Sequence, residues 1–259
     1  MNYIKLPNLP EGKVKSILID GRISKKIADS LMKMEITPIM TEGLPDMYEA
    51  VSHHTDIMLH HVGGNRIVHA PGISSKILEK LSNLGFQMIE GQTVLSAKYP
   101  GNIAYNAARV GNFIIHNLKY TDKILIKELE NEGVEFIDVK QGYSKCSVCV
   151  VDKDAIITSD KGIGEAASKK GIDVLLIEPD ENIVLPGLNM GFIGGCTGKI
   201  ARDKMVVTGD LTKLKSFVDI VRFANSHGVK IISLSDEKPV DVGSIIPVLE
   251  SSKQAISIF

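Results

Sequence analysis

One joint recurs four times along this chain and leaves it few folds to adopt: a polar helix end, a glycine, then a short apolar strand. The copies read SNLGFQMI, ENEGVEFI, SKKGIDVLLI and NSHGVKIISL, with Gly85, Gly133, Gly171 and Gly228 at the joint. Glycine there takes the left-handed conformation that caps a helix C-terminus. Ahead of the joints, apolar residues fall at three-and-four spacing, as in Ile77, Leu78, Leu81 and Leu84, or Ile124, Leu125 and Leu129, which predicts helices with one apolar face.

Upstream of each helix the pattern changes to paired apolar strands. Asp56–Val62 with Arg66–Ala70, Ile103–Ala108 with Phe113–His116, Cys146–Val151 with Ala155–Thr158, and Phe192–Ile200 with Met205–Thr208 read as hairpins, with Asn, Asp and Gly at the turns. At the N-terminus, Ser16–Asp20, a helix through Met32 and Thr37–Met40 make a module that lacks its first hairpin strand, while VDVGSIIPVL and AISIF are strands with no helix after them. Pairing the two ends closes a ring and removes an open sheet edge. The expected fold is therefore α/β, a cyclic propeller of five ββαβ modules in a single domain spanning 1–259. The modules fall near 12–42 with 240–259, 53–91, 99–140, 143–179 and 187–235. A doubly wound open sheet accounts for the helix–strand alternation but not for the hairpins.

Composition narrows the function. A formal charge of -1 provides no field for nucleic acid or anionic lipid, so neither is an expected partner. Neither a secretory leader nor a membrane-spanning apolar run is visible, and three cysteines make no disulfide framework. A cytoplasmic protein is expected, with a small-molecule ligand, room for a protein partner, and no cofactor.

Aligning the hairpins on their turns puts a polar column at the strand starts: Asp56, Asn102, Cys146, Cys196 and Asp241. In a ring these converge at one mouth and surround one pocket. This arrangement, with the glycine-rich GFIGGCTG around Cys196, resembles the guanidine-group modifying enzymes, the superfamily of arginine deiminase, the amidinotransferases and dimethylarginine hydrolase. The resemblance covers nearly the whole chain as architecture. It implies a pentein-like propeller, a cysteine thiolate attacking a guanidinium carbon, a histidine moving protons, and carboxylates gripping the cation. In that superfamily the nucleophilic cysteine belongs to the last module, yet VDVGSIIPVLESSKQAISIF contains none. Either Cys196 or Cys146 has taken that place, or the reaction has been lost.

The candidates carry ordinary readings as well. Cys196 follows two glycines that let a ligand approach, though buried cysteine is commonly a small hydrophobe. Cys146 and Cys149 form a CxxC, but residues three apart in a strand face opposite ways, no second CxxC follows, and no metal is expected. His60 shares a strand face with Asp56 and is preferred to His61 as acid–base, against a structural histidine as the commoner case. Gly63-Gly64-Asn65 reads as a hairpin turn, KGIGEAASKKG lacks a complete phosphate-binding fingerprint, and Arg22 and Arg109 are open to either a substrate carboxylate or solvent. Two functions stay open: a cysteine-dependent hydrolase or transferase using Cys196, His60, Asp56 and Asp241, and a non-catalytic propeller that binds a small molecule or a protein.

Overall fold

The computed structural model describes residues 1–252, so the strand expected at AISIF lies outside the described residues. Four sheets repeat one order, an antiparallel hairpin followed by a parallel strand. They are β4 (Leu59–Gly63), β5 (Arg66–His69) and β6 (Gln87–Glu90); β7 (Ala108–Val110), β8 (Phe113–His116) and β9 (Glu135–Asp138); β10 (Val148–Asp152), β11 (Ala155–Thr158) and β12 (Asp173–Leu176); and β13 (Thr197–Ala201), β14 (Lys204–Val207) and β15 (Lys230–Ser233). The fifth sheet joins the chain ends in the order β1 (Asn2–Tyr3), β16 (Ile246–Glu250), β2 (Val14–Asp20) and β3 (Thr37–Thr41). Here β16 pairs antiparallel with both β1 and β2, supplying the hairpin strand that the N-terminal module lacks. The fold is the expected five-module ββαβ propeller, closed by its two ends.

Each module's helix lies between its second and third strands. These helices are α1 (Lys25–Lys33), α3 (Ser75–Asn83), α4 (Lys123–Asn131), α6 (Lys161–Ser168) and α7 (Phe217–Ser226). Each buries two residues one turn apart: Ile27 and Leu31, Ile77 and Leu81, Leu125 and Leu129, Ile163 and Ala167, Ile220 and Ala224. Asp122 and Asp160 cap α4 and α6 by accepting from backbone N–H groups two or three residues on, and Ser24 does the same for α1. Gly85, Gly133, Gly171 and Gly228 follow four of the helices at φ +85°, +66°, +78° and +70°, as the joint predicts. After α1 the equivalent position is Glu35, at φ +62°.

The first hairpin strands begin later than the sequence pattern predicts. Helical turns α2 (Thr55–Met58) and α5 (Ser144–Ser147) precede β4 and β10, a short 3-10 turn at Gly194–Cys196 precedes β13, and residues 103–107 turn before β7. These stretches are buried throughout, on every side rather than one, so neither a helical nor a strand period of burial marks where the turn ends and the strand begins. Asp56, Cys146 and Cys196 thus lie in turns, and the strand-face argument pairing His60 with Asp56, like the one separating Cys146 from Cys149, does not apply.

Hydrogen bonds link these turns around the axis. Gly243 O accepts from Asp56 N at 3.3 Å, Asp56 O from Asn106 Nδ2 at 3.1 Å, Asn106 O from Lys145 N at 3.1 Å, and Gly195 O from Ser244 N at 2.9 Å. Between the last two pairs, Gly194 lies so close to the Lys145 and Val148 carbonyls that no Cβ fits. All five modules therefore meet at one centre. Among the described residues no helix is long and apolar enough to cross a membrane.

Candidate functional site

The centre of the ring is polar and buried. Asp56 accepts from Cys146 Sγ at 3.1 and 3.2 Å and from Ser244 Oγ at 2.6 Å; Ser244 Oγ in turn accepts from Lys145 Nζ at 3.0 Å. Asn106 braces the group, accepting at Oδ1 from the backbone N–H of Lys145 and Cys146 while its Nδ2 lies 3.3 Å from Cys146 Sγ. Ser244 reaches this place at φ +71°, a conformation uncommon outside glycine. Every one of these side chains is below a tenth exposed.

On one side this cluster meets a cavity of about 330 Å³. Its polar lining is His54, Asn102, Cys146 and Asp241, and Tyr48, Tyr99, Tyr143 and Phe192 form much of its wall. Ring centroids of 5.7 Å between Tyr99 and Tyr143 and 6.4 Å between Tyr143 and Phe192 make that wall a continuous aromatic surface. A second cavity of about 510 Å³, lined by Asp20, Arg22, Ile27 and Pro186 among others, shares Tyr48 and Asp241 with the first. Across the cluster, a space of about 20 Å³ between Asp56, His60, Arg109 and Lys145 is bordered by Pro7 and Asn8 of the N-terminal segment.

Charge at the centre is set by burial. Desolvation pushes the Asp56 carboxyl up, and His54 and Lys145 only partly counter it; the same cause raises Asp241 to about 6 although Phe192 N and Gly243 N donate to it. The Cys146 thiol is pushed well above its usual range, first by burial and then by the Asp56 charge, so the resting group is S–H donating to a carboxylate. His54 is pushed down by burial. Its Nε2 lies 4.0 Å from Asp20 and its Nδ1 3.9 Å from Asp241, and neither nitrogen makes a hydrogen bond of ordinary geometry. Asp20 itself is bound by Arg22 Nε and Nη2 at 2.7–3.3 Å.

Of the five residues in the predicted column, Asn102, Cys146 and Asp241 line the larger cavity's neighbour of 330 Å³, and Asp56 sits behind Cys146. Cys196 does not join them. It is fully buried in the apolar cluster of Cys149, Ile193 and Met205, with Sγ 3.3 Å from Ile193 O. His60 lies on the opposite side of Asp56 from that cavity, at the small space, held down to about 3 by burial. His61 Nε2 donates to Gly64 O and is structural by its contacts, and Arg109 Nε donates to Gly111 O. Cys149 Sγ contacts Met205, not Cys146. His54, Asn106, Lys145 and Ser244 escaped the sequence reading. Asn106, Lys145 and Ser244 stand two or three residues before the observed starts of β7, β10 and β16, which lie later than the sequence pattern sets them, and His54 precedes a helical turn, so the strand pattern marked none of the four.

Closure by the chain ends and five ββαβ sheets give the chain the propeller fold seen in solved amidinotransferases and an agmatine deiminase. The solved structures it matches include the amidinotransferase SxtG of Microseira wollei from the saxitoxin pathway (TM-score 0.57, 11% identity, 96% of this chain and 99% of that one). They also include inosamine-phosphate amidinotransferase StrB1 of Streptomyces griseus (0.57, 9%, 99% and 99%) and agmatine deiminase of C. jejuni (0.58, 10%, 98% and 98%). No curated protein matches. Within this fold, the chain belongs to the family described as "Family of unknown function (DUF6873)", which matches residues 18–246.

Proposed function

We propose that this chain is a cysteine-dependent hydrolase or transferase of a guanidino or related amidine-bearing compound, with Cys146 rather than Cys196 as the nucleophile. The observation that carries the reading is the Cys146 thiol, which lines an aromatic-walled cavity while donating to Asp56. The fold shared with amidinotransferases and an agmatine deiminase favours the same chemistry by analogy.

A planar cation suits this cavity. Asp241 supplies negative charge with no Lys or Arg within 4.0 Å among the described residues, and the rings of Tyr99, Tyr143 and Phe192 offer faces to a cation. Its positive charge beside Cys146 also offsets the Asp56 carboxylate and favours the thiolate, so the nucleophile forms when substrate is present. Asp56 accepts the Sγ proton as sulfur bonds to the guanidinium carbon. That proton departs with the leaving amine as the C–N bond breaks, which leaves an amidino thioether cation. Water then attacks the same carbon, His54 takes its proton, and the thiol is released with a urea; an acceptor amine in place of water gives amidino transfer.

The test is turnover on a panel of guanidino compounds, reading released amine and the mass of the protein. Wild type is expected to release amine and to carry a transient amidino adduct on Cys146, with both lost in Cys146→Ala. Non-catalytic ligand binding is the second reading, favoured by a thiol that burial holds protonated; binding of the same compounds without turnover in either protein selects it.

A further inference from the structure

We propose that His54, Asp56 and Cys146 form a binding site for a thiophilic divalent cation of the zinc type, which occupies the thiol and excludes the guanidino ligand. The inference uses the site of the proposed reaction but not its chemistry.

One donor atom from each of the three side chains lies within 4.8 Å of the others, and all three side chains are buried. Tetrahedral zinc, with Zn–S near 2.3 Å and Zn–N and Zn–O near 2.0 Å, needs donors about 3.2–3.6 Å apart. Cys146 Sγ and Asp56 already stand at 3.1–3.2 Å, and a His54 nitrogen lies within 4.8 Å of both, so its approach by about 1 Å completes three corners. The fourth corner opens on the cavity that His54 and Cys146 both line, where water or a ligand atom can complete the shell.

A second, independent feature is the imidazole itself. His54 is 1% exposed, yet neither ring nitrogen has a hydrogen-bond partner of ordinary geometry, an arrangement that is costly unless something fills it. A metal on one nitrogen removes that cost, and the carboxylates of Asp20 and Asp241, 4.0 and 3.9 Å away, stand ready to accept from the other. Carboxylate–histidine–metal relays are built this way.

Charge and donor softness point the same way. Arg22 neutralises Asp20, and Lys145 faces Asp56 through Ser244, while Asp241 has no basic partner besides His54 within 4.0 Å among the described residues. The centre thus holds a surplus negative charge. A thiol and an imidazole select zinc-type ions over magnesium or calcium, which prefer oxygen-only shells. On binding, the Cys146 S–H bond is exchanged for a metal–sulfur bond and the proton leaves to solvent; no redox change is involved.

The experiment is titration of chelator-stripped, tag-free protein with Zn²⁺ and with Co²⁺ in parallel. One ion per chain, a sulfur-to-cobalt charge-transfer band in the near ultraviolet, and release of close to one proton are expected. Affinity should fall about a hundredfold or more in Cys146→Ser and His54→Gln, each checked for wild-type secondary structure. Absence of the cobalt–sulfur band from wild type overturns the proposal without recourse to any variant, as does zinc affinity unchanged in both variants. Amidino turnover is measured separately with chelator present, so loss of that activity and loss of metal binding are read apart.

Discussion

Cys146 Sγ lies 3.1 and 3.2 Å from the two carboxylate oxygens of Asp56, across 90 positions of sequence, so the thiol that lines the 330 Å³ cavity rests against a negative charge. That contact separates this site from one holding a ready-made thiolate, because a neighbouring anion stabilises S–H over S⁻.

Asp56→Asn removes the charge and keeps most of the side chain's shape. The pH midpoint for alkylation of Cys146 should fall by roughly one unit. Mass mapping of native protein treated with iodoacetamide between pH 6 and 10 measures it; an unchanged or higher midpoint means that Asp56 does not govern the thiol.

The Ser244 hydroxyl joins Lys145 to Asp56, with Gly194 O as its other neighbour at 3.1 Å. Ser244→Ala should destabilise the fold by about 1–3 kcal/mol through the buried groups it leaves unsatisfied. Ser244→Gly loses the same hydroxyl but relieves the φ of +71°, so it should be the more stable of the two by about 1 kcal/mol. Chemical denaturation of both variants gives the comparison, and an order reversed from this one contradicts the conformational argument.

The architecture was legible because it is written in local, periodic signals. Glycine joints, helix faces and turn residues recur, and β5, β8 and β11 begin where the patterns place them. The site was legible only in part. Asp56 and Cys146 stood in the polar column, but the hydroxyl that links Asp56 to Lys145, that of Ser244, is brought in from the closing module. Ser244 follows Gly243 in a segment that reads as a strand, and nothing in VDVGSIIPVL marks its hydroxyl as central. Cys196 was overvalued because its two preceding glycines suggest ligand access. In the fold Gly195 instead makes room for the Asp241 carboxylate, which a Cβ at that position would strike.

One module departs from the glycine joint, and the departure predicts a gain. Glu35 holds φ +62° where the other modules use glycine, and among the described residues its ion pairs are those with Lys13 and Lys15 at the surface. Glu35→Gly should stabilise the protein by up to about 1 kcal/mol, the strain relieved exceeding the surface pairs lost. Thermal melting decides it, and a lower Tm contradicts the reading.

Acid should unfold the protein through its buried histidines. Burial holds His60 at about 3 and His61 and His116 at about 4, against 6.5 when exposed. The unfolded chain therefore binds protons first, so the stability these groups contribute is complete above pH 6.5 and is lost as pH falls toward 3. Asp241, raised from 3.8 to about 6, and Asp56, also raised by burial, work in the opposite direction, two carboxyls against these three histidines and His54, which burial likewise lowers. Denaturant titrations should show a net loss of several kcal/mol between pH 7 and pH 4. A flat profile would contradict the burial argument.

The central claim is that Cys146, and neither Cys149 nor Cys196, is the thiol that meets a ligand. The direct measurement is site-resolved alkylation of the native protein with and without a saturating guanidino compound. The account predicts that Cys146 is labelled alone, at a rate rising with pH, and that the guanidino cation blocks the labelling, while the other two thiols react only on unfolding. Labelling of Cys196 ahead of Cys146, or of all three thiols only when the chain unfolds, would contradict it.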